Sequence, residues 1–335
     1  MSSDRHESSA CPHEVTVDRR SSVNADRQDT PAVPLYSSGL VELYEIDCFD
    51  WLENARPDSV HGVVTDPPYG LIEYEESHLG KLKSGTGGVW RIPPSLGGYK
   101  RSPLPRFTVQ TQAELALMTT FFEEWARLIH RVLVPGGHIF IATNPLLANR
   151  LYSAVLSAGF EHRGEFIRLV TTLRGGDRPK GAEQEFPDVT VMPRSNFEPW
   201  GIFRKPCEGR VYDNLRKWGT GGLRRTSAEQ PFNDVFRCPP TPAEERALGN
   251  HPTMKPQRLM RHLVRSVLPL GKGTILDPFA GSGSTLAAAE AVGYRAIGLE
   301  RNSEYAKGSC ETIPRLAGLT LPSADGSRQG LLFGS

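Results

Sequence analysis

Apolar residues in this chain recur with two different periods. Val60 to Thr65, in the stretch S-V-H-G-V-V-T, form a short run that ends abruptly at Asp66 and reads as a buried strand. Phe121 to Val134 places its apolar residues at helical spacing and meets Pro135-Gly136-Gly137, which predicts a helix ending there; His138 to Ala142 (H-I-F-I-A) then reads as a second buried strand. Leu259, Met260, Leu263, Val264, Val267 and Leu268 again repeat at helical spacing, predicting an amphipathic helix with Pro256 at a first helical position and a stop at Pro269. These stripes are core. Residues 274–300, T-I-L-D-P-F-A-G-S-G-S-T-L-A-A-A-E-A-V-G-Y-R-A-I-G-L-E, parse as strand, Gly-rich turn, helix, Gly stop, strand and terminal acid, which is one βαβ unit. Ser284 or Thr285 is placed to cap its helix, and Gly293 to end it in the left-handed conformation.

Chemistry enters where the strands end. Asp66-Pro67-Pro68-Tyr69 follows the first apolar run, and its residue types suit an exocyclic amine on a flat ring. Such a nitrogen is a poor nucleophile because its lone pair is delocalised, so a site for it needs acceptors more than a strong base. The Asp66 carboxylate offers one acceptor and the Pro67 carbonyl a second, enough to hold both amino hydrogens and push the nitrogen toward sp3. Two consecutive prolines stiffen the turn and bring no competing N–H, and Tyr69 offers a ring face for stacking. The plainer reading is a strand-terminating turn, since Asp-Pro and Pro-Pro are common loop punctuation.

The second turn, Asp277-Pro278-Phe279-Ala280-Gly281-Ser282-Gly283-Ser284, lets the backbone approach a ligand at its glycines, while Glu300 at the next strand end can accept from ribose hydroxyls. A nicotinamide dinucleotide is disfavoured, because Leu286 stands where G-x-G-x-x-G/A needs a small residue. A cofactor with an amino acid and an adenosine but no phosphates fits better, and S-adenosylmethionine has that composition. A Gly-rich turn without a ligand is the alternative.

With both motifs in place, the chain resembles the S-adenosylmethionine-dependent amino DNA methyltransferases of the β class, in which the catalytic motif precedes the cofactor motif. D-P-P-Y at 66–69 comes first, and H-P-T-M-K-P-Q-R-L-M-R-H-L-V at 251–264 leads into D-P-F-A-G-S-G-S at 277–284; the similarity spans about residues 40–315. The resemblance implies a Rossmann-like, doubly wound and mostly parallel α/β sheet with an inserted target-recognition region. It implies that Asp66 and Pro67 bind the amine of a flipped base, that Tyr69 stacks on it, and that the Phe279–Ser284 turn surrounds the methionine part of the cofactor. Glu300 takes the ribose, Asp47 falls near the adenine, and Thr253 and Lys255 lie in the cofactor segment before the helix. Asp47 reads equally as a helix N-cap. Adenine N6 is the implied target, because Asp at the first motif position is commoner for adenine; cytosine N4 is the runner-up. A noncatalytic DNA-binding protein or an RNA methyltransferase of the same fold are further alternatives. A homodimer is implied by the class.

The composition narrows the rest. At 335 residues with 38% hydrophobic content, the chain suffices for one large core plus an insertion. No apolar run approaches bilayer length and the N-terminus lacks a signal-peptide stretch, so a cytoplasmic protein is expected. Five scattered cysteines without a C-x-x-C pair predict free thiols and no zinc site. Net charge is only +1, so contacts to DNA must be local; 171–250 carries thirteen Lys plus Arg against eleven Asp plus Glu, with clusters at Arg174/Arg178/Lys180, Arg216/Lys217 and Arg224/Arg225.

The predicted organisation is a disordered arm at 1–36, a catalytic half at 37–170, a recognition region at 171–250, a cofactor half at 251–318 and a flexible tail at 319–335. Residues 70–110, rich in Gly and Pro, read as a mobile flap over DNA, with Trp90 or Tyr99 filling the vacated stack, or as a plain disordered insertion. Phe197 and Trp200 are placed near the target pocket, or in a strand core. Gln329, Leu332 and Phe333 resemble a peptide that docks on the DNA sliding clamp.

Overall fold

The computed structural model describes residues 33–68, 95–96, 99–100, 111–172, 179, 181–193, 195–249 and 254–321. Tyr69, Thr253, Trp90, the Arg174/Arg178/Lys180 cluster, the arm up to residue 32 and the tail with Gln329, Leu332 and Phe333 lie outside the described residues; of the 70–110 loop, only the backbone of 95–96 and 99–100 lies within them. Those two pairs form β4 (Ser95–Leu96) and β5 (Tyr99–Lys100), a two-stranded antiparallel ladder.

The remaining strands are β1 (Tyr36–Ser37), β2 (Val41–Glu45), β3 (Val60–Thr65), β6 (Leu133–Ala142), β7 (Glu161–Thr172), β8 (Ser195–Arg204), β9 (Val235–Arg237), β10 (Thr274–Asp277) and β11 (Arg295–Glu300). They form one sheet in the order β1-β2-β11-β10-β3-β6-β8-β7-β9. The stretch β2-β11-β10-β3-β6 is parallel throughout, and β8 joins antiparallel to β6. Parallel strands covered on both faces need apolar residues on both sides, which is why the runs are nearly unbroken. Along β3, Val63 faces a core shared with α1 (Cys48–Asn54), α2 (Gln112–Val132) and α3 (Ala148–Ser157). Its neighbour Val64 faces the other core, filled from α6 (Gln257–Val267), α7 (Ser284–Ala291) and α8 (Ser303–Ala317). The two short helices α4 (Val211–Trp218) and α5 (Ala243–Arg246) lie in the segment between β8 and α6.

Three local expectations are corrected. The helix predicted from Phe121 begins at Gln112, because Thr111 and Glu114 form a reciprocal capping box. It ends at Val132, and Pro135-Gly136-Gly137 lies inside β6 rather than between elements. The ladder to β3 passes from Val60↔Leu133 to Gly62↔His138, so residues 134–137 bulge, with Gly136 at φ +76°. The Pro135 carbonyl receives the Asn214 amide at 2.9 Å and the Thr220 hydroxyl at 2.6 Å, so the bulge leaves no orphan there. Lastly, neither Ser284 nor Thr285 caps α7. Gly283 occupies the cap at φ +73°; the Ser284 hydroxyl turns to Ser282 and that of Thr285 toward the Val64 carbonyl. Gly293 does follow α7 in the left-handed conformation, at φ +76°.

The 171–250 segment is woven into the sheet. β7 runs across its start, β8 is an inner strand, and β9 pairs parallel with β7. Phe232 and Phe236 from this segment stack on His262 of α6, with centroids 5.5 and 4.6 Å away. Burial against those rings and the charge of nearby Arg265 and Arg258 pull the His262 pKa down to about 4. No helix among the described residues is long and apolar enough to cross a membrane.

Candidate active site

β3 and β10 lie side by side, yet their crossovers leave in opposite directions, β3 through α2 to β6 and β10 through α7 to β11. A crevice opens at the carboxyl ends of strands where such a reversal occurs. Both motifs fall there. Asp66 leaves the end of β3 and Asp277 closes β10, with Leu276 in register with Val63. Asp47 lies just after β2 and Glu300 ends β11, so four carboxylates crown four adjacent parallel strands.

Each carboxylate has different partners. Asp277 is buried, and its Oδ1 accepts from the Thr65 hydroxyl at 2.7 Å and from the Phe279 N–H at 3.2 Å. Burial, helped by the charge of Asp66, raises its pKa to about 6 against the hydrogen bonds that oppose this. Asp277 therefore fixes the turn from below. Glu300 spans two backbone donors, Gly281 N–H at 2.9 Å and Asn302 N–H at 2.8 Å. Asp47 caps α1 by accepting from Phe49 N–H at 2.9 Å, and Arg301 approaches its other oxygen at 3.9 Å. The capping reading of Asp47 is thus realised through one of its two oxygens.

The Gly-rich turn is held from all sides. The Gly281 carbonyl accepts from the Ser309 hydroxyl of α8 at 2.6 Å, and Ala280 N–H donates to the Leu299 carbonyl at 2.9 Å. A Cβ on Gly283 would lie 2.5 Å from Ile313 Cγ1, so only glycine lets the turn pack this close to α8. Phe279 leans on Phe121 and Trp125 of α2, with centroids 6.2 and 6.1 Å away. Pro67 and Pro68 line a small apolar pocket with Met118, Phe122, Leu147 and Leu151, which packs the turn after β3 against α2 and α3.

Asp66 itself is one end of a chain of alternating charges. Lys255 Nζ lies 2.7 Å from Asp66 Oδ2 and 3.2 Å from Glu198 Oε1, and Arg168 Nη1 lies 2.9 Å from Glu198 Oε2. All four side chains are at most 20% exposed. Burial alone would depress the Lys255 pKa, but Asp66 and Glu198 outweigh it and hold the ammonium above its ordinary value. Burial likewise works against the Glu198 carboxylate, and Lys255 with Arg168 holds it below the usual range. Sequence reading placed Lys255 in the cofactor segment and missed Glu198 and Arg168. An acid and an arginine inside strands of an α/β core were the available signal.

The donor set indicates what the crevice accepts. Carboxylates line its rim, and the cation nearest Asp66 is already paired. Such a rim repels a pyrophosphate and suits a ligand that bears positive charge, with carboxylate acceptors for hydroxyls at Glu300 and Asp47. A sulfonium nucleoside with an α-amino group has that character.

A family model described as DNA methylase matches residues 60–311. The chain belongs to the N6/N4 DNA methylases. Among curated proteins, the methylase is 31% identical over 271 residues to the type II methyltransferase M2.MboI of Moraxella bovis, covering 78% of this chain and 84% of that one. It is 48% identical over 127 residues to the DNA adenine methyltransferase YhdJ of Escherichia coli, covering 34% and 43%. Its fold matches the solved PvuII DNA methyltransferase, a cytosine-N4-specific protein, with a TM-score of 0.55 at 14% identity over 86% of this chain and 94% of that one. DNA is the substrate class and S-adenosylmethionine the methyl donor of this methylase. Asp277 ends β10, Pro278, Phe279, Ala280, Gly281, Ser282 and Gly283 form the turn at the switch point and Ser284 opens α7, with Glu300 at the end of β11 and Asp47 just beyond β2.

Proposed function

We propose that this methylase transfers a methyl group to adenine N6 of a base extruded from duplex DNA. The observation that carries the reading is the Asp66 carboxylate at the end of β3, directly beside the Gly-rich turn that follows β10. S-adenosylmethionine, when bound, supplies a methyl group on a sulfonium. The turn, Glu300 and Asp47 are the residues that would hold it. Asp66 and the Pro67 carbonyl would accept the two amino hydrogens, orienting the nitrogen lone pair for direct attack. With the methyl passed to the amine and S-adenosylhomocysteine as the leaving group, the Asp66 carboxylate would stabilise the positive charge on the amine until its proton leaves to water. A strong base is unnecessary, because the amine becomes acidic only after gaining the methyl. No covalent enzyme intermediate arises.

Adenine is favoured by the Asp at the first motif position and by the naming of the 48%-identical relative as an adenine enzyme. Cytosine N4 is the second reading, supported by the cytosine-N4-specific protein of the same fold. The test is incubation with labelled S-adenosylmethionine and in vitro amplified genomic DNA, followed by nucleoside digestion and mass spectrometry. Label in N6-methyladenine nucleoside is expected from the wild type and none from Asp66→Ala, whose S-adenosylhomocysteine affinity should persist. Label in N4-methylcytosine nucleoside would overturn the choice of base, and an active Asp66→Ala the assigned role.

A further inference from the structure

The Asp66–Lys255–Glu198–Arg168 chain is held most firmly at its arginine end. Arg168 is anchored three times, by Nε to the Cys238 carbonyl at 3.1 Å, by Nη2 to the Pro239 carbonyl at 2.7 Å, and by Nη1 to Glu198 at 2.9 Å. Glu198 sits on inner strand β8 and also receives the Trp200 indole N–H at 3.0 Å, so three donors besides the strand itself hold it. Asp66, by contrast, lies in the loop beyond β3. Lys255 is shared between the two carboxylates.

That sharing creates a conflict. The Oδ2 atom at 2.7 Å from Lys255 belongs to the same carboxylate that must receive the target amine. An ammonium clamped on Asp66 competes with that amine and neutralises the charge needed as methyl transfer proceeds. We propose that Glu198 is a positioning residue for the methyl-acceptor site: it retains Lys255 when the target amine arrives, so that Asp66 is released to bind it. Arg168 orients Glu198 for this by occupying Oε2, so that Oε1, which also accepts from the Trp200 indole, faces the lysine. Lys255 stays protonated throughout and donates no proton to the reaction. Its place is thus against the acceptor carboxylate rather than on the cofactor. This inference rests on the assignment of Asp66 as the amine-binding group.

The test is epistasis. Glu198→Gln removes one of the two carboxylates that the Lys255 ammonium is seen to reach and weakens its hold on the lysine against Asp66; kcat on in vitro amplified genomic DNA should fall about 100-fold, the size expected when a reacting group is misplaced by about an ångström, with KM for DNA and the Kd for S-adenosylhomocysteine within about threefold. Glu198→Asp, which keeps the charge, should regain part of the loss. Adding Lys255→Met to Glu198→Gln removes the clamp and should restore at least about tenfold of kcat, which a purely structural role would not produce. Melting temperatures of all variants identify any that fail to fold, and Glu198→Asp then carries the comparison. A folded Glu198→Gln with wild-type kcat, a double variant no better than the single one, or an equal loss of S-adenosylhomocysteine affinity would each overturn the proposal. Asp66→Ala measured in parallel separates the two levels. If it is inactive while Glu198→Gln behaves as wild type, this inference alone fails; if Asp66→Ala or an inactive wild type contradicts the catalytic assignment, both fail.

Discussion

Asp277→Asn should make the methylase less sensitive to pH. The buried carboxyl has its pKa raised from 3.8 to about 6, chiefly by burial. Between those values the folded protein keeps a proton that the unfolded chain has released, so stability is present below pH 3.8 and is lost as pH rises toward 6. A shift of that size, at 1.36 kcal/mol per unit, is worth about 3 kcal/mol, an order-of-magnitude figure reached in full above pH 6. Asparagine keeps an oxygen for the Thr65 hydroxyl and the Phe279 N–H but carries no charge. The assay is urea unfolding of both proteins from pH 4.5 to 8. Other titrating groups cancel in the difference, so the stability of Asp277→Asn relative to wild type should rise with pH to about pH 6 and then level off. A flat difference, or one that falls with pH, would refute the reasoning.

Three further outcomes follow from the site and its supports. Gly283→Ala combines a left-handed backbone with a Cβ 2.5 Å from Ile313 Cγ1 and should cost about 2–4 kcal/mol, read as a lower denaturation midpoint and weaker S-adenosylhomocysteine binding in calorimetry. Glu300→Gln keeps a single oxygen for two backbone donors, at Gly281 and Asn302, and should loosen the turn; cofactor-product affinity should fall about tenfold or more while the far-ultraviolet spectrum is unchanged. Asn214→Ala leaves the Glu208 N–H without the side-chain oxygen at 2.9 Å and removes an amide donor from Pro135, so chemical denaturation should show a loss of about 2–3 kcal/mol with cofactor binding retained.

What could be read in advance followed from locality. The βαβ unit, the α6 stripe and the pairing of D-P-P-Y with D-P-F-A-G-S-G-S each lie in contiguous residues whose period or turn chemistry is explicit. The Thr111–Glu114 capping box was equally explicit, and Leu115 and Met118 already carry the apolar stripe of α2 ahead of Phe121, so the true start was legible and the prediction began too late. Pro135-Gly136-Gly137 reads as a stop because proline and glycine usually are one. It continues a strand here since Asn214 and Thr220, about eighty residues on, cover the carbonyl that the bulge exposes. The charge chain was hidden for a similar reason. Arg168 and Glu198 meet across the β7–β8 ladder, where they are register partners, and Lys255 comes from the approach to α6. No local pattern joins them.

The bond from Thr65 to Asp277 joins residues 212 positions apart. At a synthesis rate of about 5–20 residues per second, β3 emerges from the ribosome some 10–40 s before its neighbour β10 exists. During that interval the Leu133–Ala142 strand can occupy one edge of β3, while the other edge waits with its backbone donors and acceptors open. During synthesis, therefore, the Thr65–Asp277 bond that ties the two motifs together can form only after the distant half of the sheet has been made.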